Sequence, residues 1–461
     1  GVGGDATPWG RTEDTRPPPK AEGAVPEGAT LPSFLSLPEA LKQFHARGLD
    51  LLLADAQVRS AEGQRTAAGA VLNPIVNLGY GRLLNYSANE QCPQQTNAQG
   101  MITSPAGDGC SANQWTAGLS DNAAIEDILS GKRGLRQDVA EAALKATKMG
   151  RADAERTIAF QVKSAYFQVV LASQQVDFAQ EIAGTSNESY QLMKLRYEKG
   201  AINEGDFAVL ETAKLEADQN YDTALQALRA ARVALGYLLG VRGHIPDFTV
   251  DRDTTKYADP PRLSTVTQDA LVKDAFTHRP DLAALNFQRE RADAAIALAK
   301  RNVVPDISLS AQYTQTGTSS SAVQPPTISF GITSGLPIFY QQQGEIRQAE
   351  ADFDTQSLTK AKTEAQVVSD VETAFAGVLT SRRLVRRMEG ADMGGKGLLD
   401  RARRARDVQK TRFDKGAASL VEYLDAQRTY IATNVEYLTD LTNYWTAIAQ
   451  LEQATGLELK Q

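Results

Sequence analysis

Three carboxylates follow two glycine turns in this chain, and they are its most suggestive charged groups. Asp206 lies just beyond Gly200; Glu422 and Asp425 lie just beyond Gly416. Glu422 and Asp425 are three residues apart, so a helix carries them on one face. If copies of the chain met around an axis, these acids would crowd one narrow mouth. Crowded carboxylates raise one another's pKa and draw in cations, which is the chemistry of a constriction rather than of catalysis. Taken singly, the same acids are ordinary first-turn carboxylates favoured by a helix dipole. The residues alone leave both readings open.

Other candidate chemistry is weaker. Gly390–Gly397 reads GADMGGKG and is close to a phosphate-binding loop, but Gly397 follows Lys396 where Ser or Thr is needed, and no strand precedes it. Its surroundings are helical, so a loosened or kinked helical segment is expected there. His45, His244 and His278 are far apart and lack metal-ligand spacing. No nucleophile elbow or paired-acid catalytic context is evident, so no enzyme activity and no cofactor or metal are expected. Cys92 and Cys110 share a loop rich in Asn, Gln, Ser and Gly. Such a pair suggests a disulfide made in an oxidising compartment. Two free cytosolic thiols are the alternative, but free cysteines are usually buried and these neighbours are polar.

The elements that carry these residues are written twice. Arg196, Lys199, Gly200, Ala201, Tyr221, Leu225, Leu235 and Gly240 recur 216 positions later as Arg412, Lys415, Gly416, Ala417, Tyr437, Leu441, Leu451 and Gly456. Upstream, Asp50, Leu51, Gln57, Ala61, Pro74 and Leu78 recur at an offset of 231 as Asp281, Leu282, Gln288, Ala292, Pro305 and Leu309. The offsets differ because the first half carries the longer strand loop, the one with the cysteines. Two copies are too few for a solenoid, which points to closure by oligomerisation.

The plan is an extended arm (1–34), a first repeat (35–240), a Pro-containing linker (241–263), a second repeat (264–456) and a short tail (457–461). Helix is expected from Ser36, a capping residue with Pro38 in the first turn, to Leu72 before Asn73–Pro74. Alternating runs follow at Ile75–Tyr86 and around Trp115–Leu119. A long helix from Gly131 to Tyr197 spans about 100 Å at 1.5 Å per residue. It turns at Gly200 and returns as Glu204–Leu239. The second half repeats this with helix Val266–Val303, strands Asp306–Gln315 and Thr327–Leu336, a long helix Gly344–Phe413, a turn at Lys415–Gly416 and helix Leu420–Thr455. Two short helices end to end match one long one.

The formal net charge of −7 does not favour a nucleic-acid partner. The run Arg401, Arg403, Arg404 and Arg406 spreads around a helix as a solvated face. No stretch has the ~20 consecutive apolar residues of a spanning helix. The chain opens at Gly1 without an apolar leader, so if the protein is exported its signal peptide is already gone, and with no Cys near its start this chain shows no site for N-terminal lipidation. The four strands alternate apolar with small polar residues, which fits either a membrane β-barrel or a half-buried sheet. The long helices favour the barrel, since a 100 Å helix leaves no compact core for the strands to cover. Four strands cannot close a barrel, and open edges are not tolerated in lipid. Two chains would give a barrel filled by side chains; three would give twelve strands around a water-filled lumen, with twelve helical columns about the same axis.

The run from Arg412 through Phe413, Lys415, Gly416, Ala417 and Glu422 to Gln427 resembles the second hairpin tip of TolC-like outer-membrane efflux channels. Arg196–Asp206, with Tyr197, Lys199, Gly200 and Ala201, resembles the first. The resemblance covers roughly residues 35–457. It implies a homotrimer whose β-barrel crosses the Gram-negative outer membrane, in contact with lipid, and whose α-barrel spans the periplasm. Such a duct is passive and works with a periplasmic adaptor protein and an inner-membrane transporter. The resemblance makes Tyr197, Asp206, Phe413, Glu422 and Asp425 gate or constriction residues. It makes Lys199, Gly200, Ala201, Lys415, Gly416 and Ala417 the adaptor-docking edge. Two positions depart from the family's best-known channel: Phe413 stands in place of a Tyr, and Ala418 in place of a gate Arg. A closed-state latch here must use other groups, with Arg196, Lys199, Arg412 or Lys415 as candidate ion-pair partners. The rival expectation is a soluble helical scaffold that docks partners through its hairpin tips.

Overall fold

A computed structural model describes residues 27–91, 93–106, 110–317, 326–391 and 394–459. In chain order the elements are β1 (Phe34–Leu35), α1 (Leu37–Arg47), α2 (Leu49–Ala68), β2 (Ile75–Arg82), α3 (Ala88–Gln91), β3 (Gln95–Thr96), β4 (Ile102–Ser104), β5 (Cys110–Ser120), α4 (Ala124–Leu129), α5 (Lys132–Glu198), α6 (Glu204–Leu238), β6 (Thr249–Val250), α7 (Gln268–His278), α8 (Pro280–Arg301), β7 (Ile307–Gly317), β8 (Thr327–Ser334), α9 (Gln343–Glu389), α10 (Leu398–Asp414) and α11 (Leu420–Thr455). Helix α5 runs 67 residues without a break. It contains no proline, and its Ala, Gln, Glu, Lys and Arg are good helix formers.

The contacts divide the chain into two compact units, one from residues 56–150 and 280–365, the other from 1–55, 151–279 and 366–461. The first unit holds an antiparallel sheet in the order β2-β5-β7-β8. Its register aligns Val76 with Leu119, Leu78 with Ala117 and Tyr80 with Trp115. The same face continues through Ala117–Tyr313 and Leu119–Ala311 to Ala311–Phe330 and Leu309–Ile332. Apolar side chains therefore form one sheet face and remain exposed, Phe330 at 84%. The other face carries Thr116 opposite Thr314 and Gln312 opposite Ser329. A sheet with no core over its apolar face is built for a different solvent on that side. β2 and β8 are its two edges.

Helices of this unit are tied in pairs. Arg65 of α2 bonds Glu141 of α5, and Arg133 Nε donates to the Gly69 carbonyl at 2.7 Å. Arg291 of α8 reaches Asp352 of α9 at 2.8 Å, and Lys145 lies over the Phe287 ring.

The second unit has a mixed core. β1 and β6 pair in parallel, Phe34 with Thr249 and Leu35 with Val250. The fully buried Tyr166 holds them: its hydroxyl donates to the Leu35 carbonyl at 3.0 Å and accepts the Asp251 N–H at 3.1 Å. The linker is clamped to α9 and α11. Tyr444 donates to Asp259 Oδ1 at 2.9 Å, Arg382 Nη2 donates to Asp259 Oδ2 at 2.6 Å, and Trp445 Nε1 donates to the Lys256 carbonyl at 3.2 Å. Burial works against the Asp259 carboxylate, but Arg382 and Tyr444 together hold it below the usual range. Burial in turn raises the Tyr444 phenol.

Several expected boundaries are corrected. The helix expected over Ser36–Leu72 breaks at Gly48 and stops at Ala68, and Ser36 makes no side-chain cap bond. The helix expected over Val266–Val303 breaks at Arg279, before Pro280. These breaks are equivalent, since Arg47 and His278 are 231 apart. Each exposes a helix-end carbonyl to the closing glycine of its own half. A Cβ on Gly240 would sit 2.1 Å from the Arg47 carbonyl oxygen, and one on Gly456 3.1 Å from that of His278. The long helix expected over Gly344–Phe413 is two helices, α9 and α10. The strand expected over Ile75–Tyr86 ends at Arg82, and Asn85 nearby is left-handed, with φ 56°.

Candidate functional site

The two glycine turns are built on one backbone pattern. Gly200 and Gly416 have φ of 71° and 73°, the left-handed conformation glycine adopts without strain. The Ala201 and Ala417 N–H groups bond the Arg196 and Arg412 carbonyls at 2.8 and 2.7 Å. Gly200 and Gly416 bond the Tyr197 and Phe413 carbonyls at 2.8 and 2.9 Å. These reciprocal bonds satisfy the last carbonyls of α5 and α10, as in a Schellman motif. The chain then reverses into α6 and α11.

The returning helices are capped differently. Asn203 Oδ1 accepts the Asp206 N–H at 2.7 Å, and Asn203 Nδ2 donates to Asp206 Oδ2 at 2.8 Å. Ser419 and Glu422 form a full capping box: Glu422 N–H to Ser419 Oγ at 3.2 Å, and Ser419 N–H to Glu422 Oε2 at 2.8 Å. The Ser419 backbone and hydroxyl groups hold the Glu422 carboxyl below its ordinary range. Two of the three candidate gate acids thus complete helix caps within one chain, while Asp425 is exposed on the face opposite Tyr423 and Leu424. Asp206 and Glu422 are also exposed.

Aromatic stacks close both turns, and the sequence reading missed them. Tyr197 stacks on Phe207 at 4.8 Å with 4° between planes, and Phe413 on Tyr423 at 5.4 Å with 9°. Tyr190 extends the first stack at 5.6 Å. The signal was available: 197 and 207 map onto 413 and 423 at the same 216-residue offset, with Tyr and Phe exchanged.

The second tip is anchored deeply. Tyr423, Leu420 and Leu424 are buried with Met193 and Leu210 of the first hairpin, and Ile202, Ala213 and Phe413 pack against them. Two turns further along, Tyr430 joins Ile182, Ala217 and Ala402, and Arg406 lies 4.2 Å over its ring. Of the basic run, Arg401, Arg403 and Arg404 are exposed, whereas Arg406 is partly buried by this stacking. A cavity of about 220 Å³ opens between the hairpins, lined in part by Leu210, Ala217, Tyr423 and Gln427.

Lys199, Ala201, Lys415 and Ala417 are exposed around the two turn glycines. Arg412 donates to Gln409 Oε1 and to the Ala417 carbonyl, both at 3.2 Å. Among the described residues no ion pair joins Arg196, Lys199, Arg412 or Lys415 to Asp206, Glu422 or Asp425, so the expected latch pairs do not form within one chain. Ala418 leaves its position without a donor or acceptor side chain.

The glycine-rich segment is an excursion between α9 and α10. Gly390 has φ 78°, and a Cβ there would lie 2.2 Å from the Gly397 nitrogen. Its glycines let the two ends of the excursion touch, which is a backbone role. Asp392 and Met393 lie outside the described residues. Cys110, at the start of β5, is disulfide-bonded; its expected partner Cys92 lies outside the described residues. No helix of the described residues is long and apolar enough to cross a membrane.

Known proteins share this arrangement. The outer membrane efflux protein family matches residues 40–241 and 271–457. The pyoverdine export outer membrane protein OpmQ of Pseudomonas putida is 24% identical over 418 residues, covering 88% of this chain and 83% of that protein. Outer membrane protein TolC of Vibrio cholerae is 21% identical over 435 residues, covering 91% and 90%. The crystal structure of the Campylobacter jejuni CmeC outer membrane channel superposes with a TM-score of 0.70 at 17% identity, covering 92% and 87%. The soluble-scaffold expectation therefore falls, and so does any enzymatic role. With its duplicated hairpins and its sheet bearing one exposed apolar face, the chain belongs to the outer membrane efflux protein family, has the TolC-like channel fold, and is an outer-membrane efflux channel of Gram-negative type.

Proposed function

We propose that three copies of this chain close a twelve-stranded barrel and form the passive exit duct of a tripartite efflux system. The observation that carries this reading is the four-stranded sheet with one apolar face and two edges, β2 and β8. In lipid each edge must find a strand partner. Joining β8 of one copy to β2 of the next satisfies both edges, and twelve strands leave room for water where eight would not. The small polar face, with Thr116, Gln312, Ser329 and Thr333, suits that lumen.

The hairpin tips supply the gate and the docking edge in this reading. Three-fold symmetry would gather Glu422 and Asp425 from each copy into an acidic mouth, with Asp206 nearby in sequence-equivalent position. Within one chain the Ser419 backbone and hydroxyl groups hold the Glu422 carboxyl below its ordinary range. Lys199, Gly200, Ala201, Lys415, Gly416 and Ala417 form the rim offered to a periplasmic adaptor, which links the duct to an inner-membrane transporter. Proteins similar to this chain are named for pyoverdine export, cobalt-zinc-cadmium resistance and toluene efflux. A duct with such varied relatives takes its cargo from its pump.

Planar-bilayer conductance tests the gate. The channel is expected to prefer cations mildly and to be blocked by divalent cations from the tip side. The double variant Glu422→Ala, Asp425→Ala is expected to lose about tenfold in block affinity, the equivalent of ~1.4 kcal/mol. Unchanged block would remove the acidic mouth and leave the duct standing.

A further inference from the structure

Opposite its apolar face, the sheet of the first unit carries a polar face without one charged residue among the described residues. Three complete rows cross the four strands there: Ile75–Ser120–Ser310–Gly331, Asn77–Gly118–Gln312–Ser329 and Gly79–Thr116–Thr314–Thr327. Gly81 opposite Gln114 and Ser308 opposite Thr333 extend them. Apart from Ile75, every member is Asn, Gln, Ser, Thr or Gly. Charged residues make up 23% of the chain, so a polar face of this size without one departs from the chain's own composition. Charges resume at the margin and are held there. Asp306, one step before β7, meets Lys132 at 2.7 Å. Asp121, one step past β5, accepts the Leu309 N–H at 2.7 Å and the Ser308 hydroxyl at 3.1 Å.

The uncharged face is also the concave one. Along β5, Gln114, Thr116, Gly118 and Ser120 are partly sheltered, while Trp115, Ala117 and Leu119 between them are exposed. A sheet curved around its uncharged side produces that alternation. Each complete row contains one glycine. A Cβ on Gly79 would lie 2.5 Å from Thr116 Oγ1, and one on Gly331 2.8 Å from Ser310 Oγ. Neighbouring hydroxyls lean over these glycines, which keeps the rows shallow and the passage wide. Several serines spend their hydroxyls within the sheet. Ser120 and Ser308 Oγ are 2.7 Å apart, and Ser310 and Ser329 donate to the Gly331 and Gln312 carbonyls at 3.3 and 3.4 Å. The side chains of Asn77, Gln114, Thr116 and Gln312 have no hydrogen-bond partner among the described residues. They offer both donors and acceptors to whatever fills the passage.

We propose that the barrel is the charge-blind part of the duct: a wide passage of neutral amides and hydroxyls that takes hydrated, hydrogen-bonding cargo of either sign and leaves discrimination by charge to the helical end. The inference rests on the three-copy duct proposed above. Fixed charges on a lumen wall concentrate solutes of one sign and repel the other. A wall without them shows cations and anions the same potential, and its amides and hydroxyls can bond to either. The hairpin tips differ, since Glu422 and Asp425 are both exposed there.

Reaction rates of added cysteines measure the local potential, and Cys110 is disulfide-bonded and supplies no thiol. The full chain is reconstituted in phosphatidylcholine vesicles with one change at a time. Thr116→Cys and Gln312→Cys probe the uncharged face, Leu309→Cys the apolar face and Val421→Cys the neighbourhood of Glu422. Each is treated with a trimethylammonium and with a sulfonate methanethiosulfonate. Rates are read by intact mass and divided by the same reagent's rate on 2-mercaptoethanol. For Thr116→Cys and Gln312→Cys the two normalised rates are expected to agree within about threefold, and for Val421→Cys the cationic reagent is expected to lead by about tenfold or more. Leu309→Cys is expected to react with neither. A larger lead of either sign at the barrel positions would overturn the proposal by revealing a charged wall. No reaction there, or reaction of Leu309→Cys as fast as Gln312→Cys, would overturn it by removing the uncharged face from the lumen. A lead at Val421→Cys no greater than in the barrel would overturn the division of labour. Conductance of the same vesicles separates the two levels: a conducting channel with a biased barrel defeats this inference alone, whereas a silent parent defeats the duct beneath it.

Discussion

The two hairpin tips share one backbone and differ in how deeply they are rooted. Their turns superpose residue by residue at the 216-residue offset, down to left-handed glycines and the bonds from Ala201 and Ala417. Yet Tyr423 of the second tip is 2% exposed, whereas its equivalent in the first, Phe207, is only partly buried. The first tip rests on an Asn cap and an outer aromatic stack, the second on a capping box and a core shared with α5 and α6. Duplication preserved what the backbone requires, while the side chains divided into an anchor and a more exposed partner.

The largest effect expected from this comparison is at the anchor. Tyr423→Ala should cost about 3–5 kcal/mol through its cavity, whereas Phe207→Ala, at the partly buried equivalent site, should cost less. Hydrogen exchange of the tip amides in detergent measures both; equal losses would erase the distinction. The closing glycines should also differ. Gly240→Ala places a Cβ 2.1 Å from the Arg47 oxygen and Gly456→Ala only 3.1 Å from His278. Both incur about 1–2 kcal/mol of left-handed strain, and Gly240→Ala should exceed it through the clash. Thermal melts of the two variants decide this.

A third difference lies further along the return helices. Asp440 is 8% exposed, and its equivalent in the first half is Ala224. Burial, and then Glu436, raises the Asp440 titration. An acid raised on folding weakens the fold as pH rises past its unfolded value. Asp440→Asn is therefore expected to raise the melting temperature at pH 7, with the gain vanishing near pH 3. Glu422 works in the opposite sense. Its folded value is depressed, so its contribution is present above the unfolded value of about 4.3 and lost as pH falls through the folded one. The smallest effect is expected here: Ser419→Ala should remove about 1 kcal/mol of cap stability together with most of this acid dependence.

Much of this architecture was legible because long helices and barrel strands announce themselves by composition and period. Helix α5 starts and ends within one residue of expectation, and α11 spans Leu420–Thr455 as expected. The breaks at Gly48 and Arg279 were hidden because their cause is tertiary: each admits a backbone from the return helix of the same half. Pro280 was a local sign, since the residue before proline avoids helical geometry. Helix α4 was missed because six residues carry too little periodicity, and the burial of its Glu126 and Asp127 reads as noise without their Lys132 and Arg136 partners. The Asp259–Arg382–Tyr444 node joins residues 123 and 185 positions apart, which no spacing rule reveals. At the candidate site the turn glycines and acids were visible. The capping roles of Asp206 and Glu422 follow from Asn203 and Ser419 three residues before them, a pattern the sequence also carried.

The central claim is that strand edges β2 and β8 meet between copies around a threefold axis. Light scattering with absorbance and refractive index, on detergent-extracted protein, measures the protein mass of the particle directly. Three times the 49.8 kDa of one chain is the predicted result; a particle of one or two chains that still conducts ions would contradict the account.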